Sequence, residues 1–243
     1  MKKGLTALVC FLPFKLPNLL LNLLGHKVAW SSKIGFSLIL TEYLTLKEDS
    51  SIGHLNYINN RELSLNSRSY IGHLNRIKGP FKILLNKRGA IGNKNTLVRA
   101  PLGVTYKIST LTLGELSKIT SNHYIDLTRN ICFGNFSTLA GVRSQMWTHG
   151  YYHAEEDEDR IRIDGEIKIG NNVYIGSGCI FNPGVSLTNS VHVGGGSVIA
   201  KNLEKSGMYV GTGLRHIENN IDILKRKLKK VEGHSLIEKV YTK

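Results

Sequence analysis

Aliphatic residues recur every six positions along most of this chain. Ile163, Ile169, Ile175, Phe181, Leu187, Val193 and Ile199 fall in one register, and no helical spacing fits that stretch as well. A short fixed period marks a solenoid, and six is the period of a hexapeptide β-helix. Each unit there holds a short strand and a turn, and three units close a triangular coil whose aliphatic side chains point to the axis. The beat begins at Ile34 and passes through Leu40, Leu46, Ile52 and Ile58. A one-residue insertion resets it to Leu65, Ile71, Ile77 and Ile83. After Pro80 it shifts to Leu85, Ile91 and Leu97, resumes as Leu113, Ile119, Ile125 and Ile131, and changes phase at Phe133 and Leu139. Glycine follows the aliphatic at many units, as in Ile52-Gly53, Ile71-Gly72, Ile91-Gly92 and Val193-Gly194, where a Cβ would block a tight corner. At about 18 residues per coil the pattern predicts an all-β solenoid of about eight coils, roughly 40 Å long at ~4.8 Å per strand.

The flanks break the pattern. Residues 1–33 read as an N-terminal helical segment interrupted by Pro13 and Pro17 and stopped at Gly25. It serves either as a cap on the first coil or as a membrane-surface segment that dips Leu19, Leu20, Leu23 and Leu24 into a bilayer. Residues 34–212 form the β-helix. Residues 213–243 predict a C-terminal helix, because Ile217, Ile221, Leu224, Leu228 and Val231 alternate spacings of four and three. Inside the solenoid a long interruption, 141–162, concentrates aromatics, histidines and the acids from Glu155 to Asp159. An excursion from a rigid scaffold is where chemistry usually sits.

Composition narrows the partners. The chain of 243 residues carries 32 Lys and Arg against 18 Asp and Glu, a formal net charge of +14. No nucleic-acid-binding motif accompanies that charge, which leaves a phosphate-bearing ligand or an anionic bilayer. Cys10, Cys132 and Cys179 have neither metal-ligand spacing nor an even count, which suits a reducing compartment. Lys2 and Lys3 before GLTALVCFLPF look like the start of a signal peptide. However, Lys15, Pro17 and Asn18 interrupt the run, no small-residue cleavage site follows, and the apolar stretch is short of the ~20 residues that span a bilayer. The expectation is cytoplasmic, with peripheral contact at the inner membrane.

The run IKIGNNVYIGSGCIFNPGVSLTNSVHVGGGSVIAKNL resembles the C-terminal half of the hexapeptide-repeat acyltransferases, which include galactoside, maltose, serine and virginiamycin acetyltransferases. NLLGHKV, ITSNHYIDL and RSQMWTH resemble, within that family, bacterial O-acetyltransferases of capsule and O-antigen clusters. The resemblance implies a left-handed parallel β-helix, usually a homotrimer, that moves an acetyl group from acetyl-CoA to a hydroxyl. Handedness comes from the resemblance alone, since the rule for parallel crossovers favours the right-handed connection.

Acetyl transfer from a thioester to an alcohol needs a base for the alcohol proton, and histidine titrates in the right range. The family places that histidine on the loop interrupting the coils, which His149 of WTHG matches. A base histidine needs orienting through its second nitrogen, and Asp126 of NHYID is the candidate. His123 binds the acceptor, shares the proton work, or is an ordinary histidine of the coil surface. Trp147 and Tyr151 either stack on a sugar or the donor, or pack the loop. His153 and the acids 155–159 receive no catalytic role. Gly194, Gly195, Gly196 and Ser197 match the family's strip along which the pantetheine arm of the donor lies. Lys201, Lys205 and Arg215 match where its phosphates rest, although GTGLRH lacks the proline the family commonly places before the last of these. Covalent catalysis through Cys132 or Cys179 is set aside in favour of direct transfer, and no metal is expected. The alternatives are a zinc carbonic-anhydrase-like enzyme, with His149, His153 and a third ligand from His123 or His192, and a non-catalytic solenoid scaffold. The acceptor implied is a saccharide of a bacterial surface polysaccharide or its precursor.

Overall fold

A computed structural model of the chain describes residues 2–10, 12, 15–153, 160–211, 215–217, 226, 229–230 and 241–242. Between Lys27 and Val210 the backbone winds as a parallel β-solenoid with three faces. The first face stacks eight strands from Lys27–Val28 to Ser186–Leu187, and the third stacks eight from Leu38–Ile39 to Val198–Ile199. The second begins at Lys33–Ile34 and ends with Gly207–Val210, against which Arg215–Ile217 returns antiparallel.

In-register stacking turns the six-residue beat into columns. Leu65, Leu85 and Leu113 pair successively on the first face, Ile71, Ile91 and Ile119 on the second, and Ile77, Leu97 and Ile125 on the third. All nine are fully buried. Each such side chain removed from water contributes about 1.5–3 kcal/mol, so the axis of the prism is one continuous aliphatic core.

Polar columns line the corners. Between the second and third faces, the side chain at one rung accepts the backbone N–H of the rung above. Ser37 accepts from Asn56, Asn56 from Asn75, Asn75 from Asn95, Asn95 from His123, His123 from Ser144 and Ser144 from Cys179. These side chains satisfy backbone donors that the turns leave outside the sheets. The glycines after each aliphatic keep a Cβ out of a tight corner, as the sequence suggested, and the obstacle is the neighbouring coil rather than the backbone's own conformation. Gly53 and Gly92 do not have left-handed φ angles. Instead, a Cβ on Gly92 would lie 2.2 Å from Thr120 O in the next coil.

Two short helices, α1 (Lys2–Val9) and α2 (Leu16–Leu23), cover the first coil. Leu21 is fully buried, and Asn18 Nδ2 donates to Ala29 O at 2.9 Å and Ser32 O at 3.2 Å, closing the open edge. Both helices thus pack against the solenoid's first coil. Leu19 and Leu23 of the same helix stay exposed, at 51% and 76%.

Three expectations are corrected. Ile39 rather than Leu40 fills the core of the first coil. Ile163 is exposed and pairs with Gly150 in an antiparallel hairpin, so the last run of the beat starts at Ile169. The coil also continues past Gly141 through the strand Gln145–Met146, with Met146 buried, and the excursion begins only at Trp147. A one-residue insertion between Leu139 and Met146 hid that strand, as another had before Leu65. The helix predicted over 213–243 lies largely outside the described residues. Within that range Lys229–Lys230 pairs with Tyr241–Thr242 as extended chain.

Asn75 tests the polar column. It is buried, its Nδ2 donates to Asn56 Oδ1 and Gly92 O, and its Oδ1 accepts Asn95 N. Asn75→Ala should lower unfolding free energy in urea by about 2–4 kcal/mol, from ~1–3 kcal/mol for each buried partner left unsatisfied. An unchanged midpoint would show that the column is dispensable.

Candidate active site

Both long excursions leave the solenoid at the same corner, between the third and first faces. One runs from Arg99 to Ile108, two strands below the other, which runs from Trp147 to Gly165. The strand Tyr124–Asp126 ends between them. The two loops touch where the Arg162 guanidinium donates to Val104 O. They bound a cleft of about 390 Å³ lined by Asp126, Thr128, Trp147, His149 and Tyr151, with Arg76, Lys78, Arg99 and Arg162 around it.

At its centre His149 Nδ1 lies 2.8 Å from Asp126 Oδ2. The Asp126 carboxyl is buried and takes four further donors. Thr128 N and Oγ1 donate to Oδ1 at 3.3 and 2.9 Å, and Thr148 N and Oγ1 donate to Oδ2 at 3.0 and 2.6 Å. A carboxylate so placed only accepts, which assigns the imidazole proton to Nδ1 and leaves the Nε2 lone pair as the proton acceptor. His149 is half-buried, so it is held in orientation yet reachable from the cleft. Trp147 packs against Tyr124, with ring centres 5.0 Å apart, and Tyr151 stands edge-on to His149 at 6.1 Å. Trp147 Nε1 donates to Gln145 Oε1, which fixes the indole.

Thr128, Thr148 and Arg99 are site residues that sequence reading missed. The two threonines had a local signal, since each lies within two residues of a predicted site residue, in IDLT and WTH. The first loop had one too, the silent stretch between Leu97 and Leu113. Arg99 is 6% exposed, and its terminal nitrogens donate to Pro80 O, Tyr106 O and Lys107 O, stapling that loop to its stem. Burial and neighbouring Arg129 push its guanidinium below the ordinary value.

The glycine strip lies on a different corner, between the second and third faces in the last coils. Left-handed turn positions on that corner carry Leu55, Leu74, Lys94, Asn122 and Arg143 in earlier coils, then Gly178 and Gly196. Conformation alone does not demand glycine there, because five side chains adopt the same φ. A Cβ on Gly196 would meet nothing within 4 Å. The absent side chain leaves open surface outside the chain, which suits a ligand lying along the backbone. Ser197 is buried and bonds Gly194 O, so it shapes this corner from within. Lys201 follows the last strand of the third face and Lys205 lies beyond the first-face bridge at Leu203, around a separate hollow of about 460 Å³ with Tyr209. Arg215 lies in the final antiparallel strand. The structure therefore unites His149, Asp126, Trp147 and Tyr151, and sets the glycine strip apart from them.

No family model matches the chain. Among solved structures it is similar to the polysialic acid O-acetyltransferase OatWY, with a TM-score of 0.58 at 17% identity over 78% of this chain and 88% of that one. The polySia-specific acetyltransferase NeuO aligns over 78% and 83% at 15% identity, with a TM-score of 0.45. A hexapeptide-repeat acetyltransferase of Vibrio cholerae O1 biovar eltor, solved with acetyl-coenzyme A, aligns over 56% and 69% at 19% identity, with a TM-score of 0.46. The chain has the hexapeptide-repeat β-solenoid fold. At such identity the likeness concerns architecture, and the chemistry must be read from side chains.

In this hexapeptide-repeat solenoid the remaining candidates are placed elsewhere. His123, expected to bind acceptor or share proton work, is a correction. It is 2% exposed in the polar column, where Nδ1 accepts Ser144 N and Nε2 meets Thr120 Oγ1. His192 stacks on Tyr174 on the second face, so neither histidine offered as a third zinc ligand stands beside His149. Burial raises the thiols of Cys132 and Cys179 above their ordinary values, which disfavours the thiolate that covalent catalysis needs.

Burial pushes His123 down to about 4. Between pH 6.5 and about 4 the unfolded chain takes up a proton at this residue that the folded chain refuses, so stability falls as pH drops through that window. His123→Asn keeps an acceptor in the column, as Asn95 does one rung below. It should flatten the decline measured by urea midpoints at pH 7 and pH 4.5, and parallel declines in both proteins would count against the assignment.

Proposed function

We propose that this chain is an O-acetyltransferase moving an acetyl group from acetyl-CoA to a sugar hydroxyl of a bacterial surface polysaccharide or its precursor. The observation that carries this reading is the buried Asp126 carboxylate holding His149 Nδ1, with Nε2 left as a base beside an aromatic-walled cleft. His149 Nε2 takes the acceptor hydroxyl proton as that oxygen bonds to the thioester carbonyl carbon. Collapse of the tetrahedral adduct breaks the carbon–sulfur bond, and His149 returns the proton to the departing CoA thiolate. One O-acetyl ester and one free thiol result, and the histidine is regenerated. Asp126 positions the imidazole and stabilises its cationic form without itself taking the proton.

The donor is assigned to the glycine corner at Gly194–Gly196, with Lys201, Lys205 and Arg215 as phosphate partners. That corner and His149 occupy opposite edges of the third face. A ring of three copies resolves the separation, because a head-to-tail three-fold contact brings one edge of a subunit to the other edge of its neighbour. A homotrimer is therefore part of the proposal. So is a cytoplasmic enzyme resting on the inner membrane through the exposed Leu19 and Leu23 of α2. Among the described residues no helix is long and apolar enough to cross a membrane.

His149→Ala should reduce acceptor-dependent thiol release from acetyl-CoA by about 10²–10⁴-fold, with an unchanged urea midpoint. Asp126→Asn should cost a comparable factor through the wrong imidazole tautomer. Thiol release that depends on acceptor but survives His149→Ala would remove His149 as base. Light scattering on the intact chain should give three subunit masses, and a monomer at working concentration would refute the ring.

A further inference from the structure

The cleft at His149 continues downward. A second hollow of about 540 Å³ lies below it on the same corner, and the two share Lys78, Arg99 and Pro101. The lower one reaches Arg61 and, at its far end, Lys3 of α1. Strand stacking sets the scale. The third-face column Asn59, Lys78, Val98, Asp126 climbs one coil per residue, so at ~4.8 Å per step the path from the Arg61 coil to His149 is roughly 19 Å. That is longer than a single sugar ring, and it runs as a trench rather than a closed pocket.

Its charge is one-sided. Lys3, Arg61, Arg76, Lys78, Arg99 and Arg162 face Glu42 and the Asp126 carboxylate already saturated by its donors. Glu42 pairs with Lys3 at 3.4 Å and Arg61 at 3.9 Å, and Arg162 pairs with Asp164 at 2.8 Å. Among the described residues Arg76 and Lys78 have no carboxylate within 4 Å, although both project from the third face between the two hollows. At the junction sits the buried Arg99, 6% exposed, with Nε lacking any partner. With its terminal nitrogens held by loop carbonyls, Arg99 adds fixed positive charge at the junction of the two hollows. Tyr57, Tyr124 and Trp147 stand on the same face beside these cations, a combination that stacks sugar faces while pairing their charges.

We infer that the acceptor is an anionic polymer, a glycan bearing carboxylates or phosphates. It lies along this corner from the Arg61 coil up to His149, with several sugar units held below the one that is acetylated. This deepens the acetyltransferase reading and rests on it for the role of His149, but binding can be measured without turnover. The probes are fluorescein-labelled decamers of a sialic acid and of galacturonic acid, a neutral glucan decamer, and a single-stranded DNA of matching charge. Each is titrated into the full-length chain without acetyl-CoA at low and high salt.

At least one acidic decamer should bind more tightly than its own dimer and than the neutral decamer, weakening as salt rises. The triple substitution Arg61→Gln, Arg76→Gln, Lys78→Gln should weaken that binding at least tenfold. Lys47→Gln with Lys87→Gln, on the opposite corner, should leave it unchanged. Failure of both acidic decamers to bind, equal binding of dimer and decamer, insensitivity to the triple substitution, or tighter binding of DNA would each overturn the inference. Loss of thiol release with intact decamer binding would instead strike the acetyltransferase reading alone.

Discussion

Everything in this molecule follows from coils that must stack at the spacing of hydrogen-bonded strands. About 4.8 Å between successive backbones leaves no room for a side chain wherever one coil's turn lies directly over another. Gly92 beneath Thr120 shows the limit, since even a methyl would sit 2.2 Å from a carbonyl oxygen. The same closeness makes the corner column work. Asn56, Asn75 and Asn95 each reach one rung, no further, and each satisfies an N–H that the sheets do not use. Core, turns and polar columns are thus three consequences of one distance.

That distance also builds the site. Asp126 and His149 are 23 residues apart in sequence, yet lie one coil apart in space. The loop carrying His149 starts directly above the strand ending at Asp126, because Tyr124 and Ile125 pair with Gln145 and Met146. Thr148 then reaches down to the carboxylate while its hydroxyl also accepts Arg129 N. The rigid columns below leave this carboxylate little freedom to move, which is what an orienting group for a base requires. Arg99 performs a related task for the lower loop, donating its terminal nitrogens to carbonyls so that the loop returns to the strand Ser109–Leu113.

Much of the fold was legible because burial acts on every coil in the same way. Ile175, Phe181, Leu187 and Val193 recur at six and are all buried. The beat misled where a unit one residue short put Ile39 in the core, where a one-residue insertion moved the next buried residue to Met146, and where chance placed Ile163 in phase. For the site, Asp126 could be named because a base histidine needs an orienting acceptor, but Arg99 could not. Its neighbours Pro80, Tyr106 and Lys107 converge only when the first loop folds back, and no spacing in the chain reports that convergence. The glycine strip was legible as composition, while its distance from His149 across the third face depends on which corner each turn occupies.

The two histidines show how much the same residue type depends on its place in the stack. His123 and His149 belong to adjacent coils and each has a partner at Nδ1. For His123 that partner is a backbone N–H, which requires Nδ1 as acceptor, while Nε2 faces the Thr120 hydroxyl in a buried corner. Burial disfavours a cation there, and the low value near 4 follows. For His149 the partner is a carboxylate, which requires Nδ1 as donor and leaves the Nε2 lone pair as the acceptor. The first arrangement resists a proton and serves the fold. The second presents Nε2 as an acceptor, and the excursion of the chain at Trp147 is what carries this histidine into the cleft.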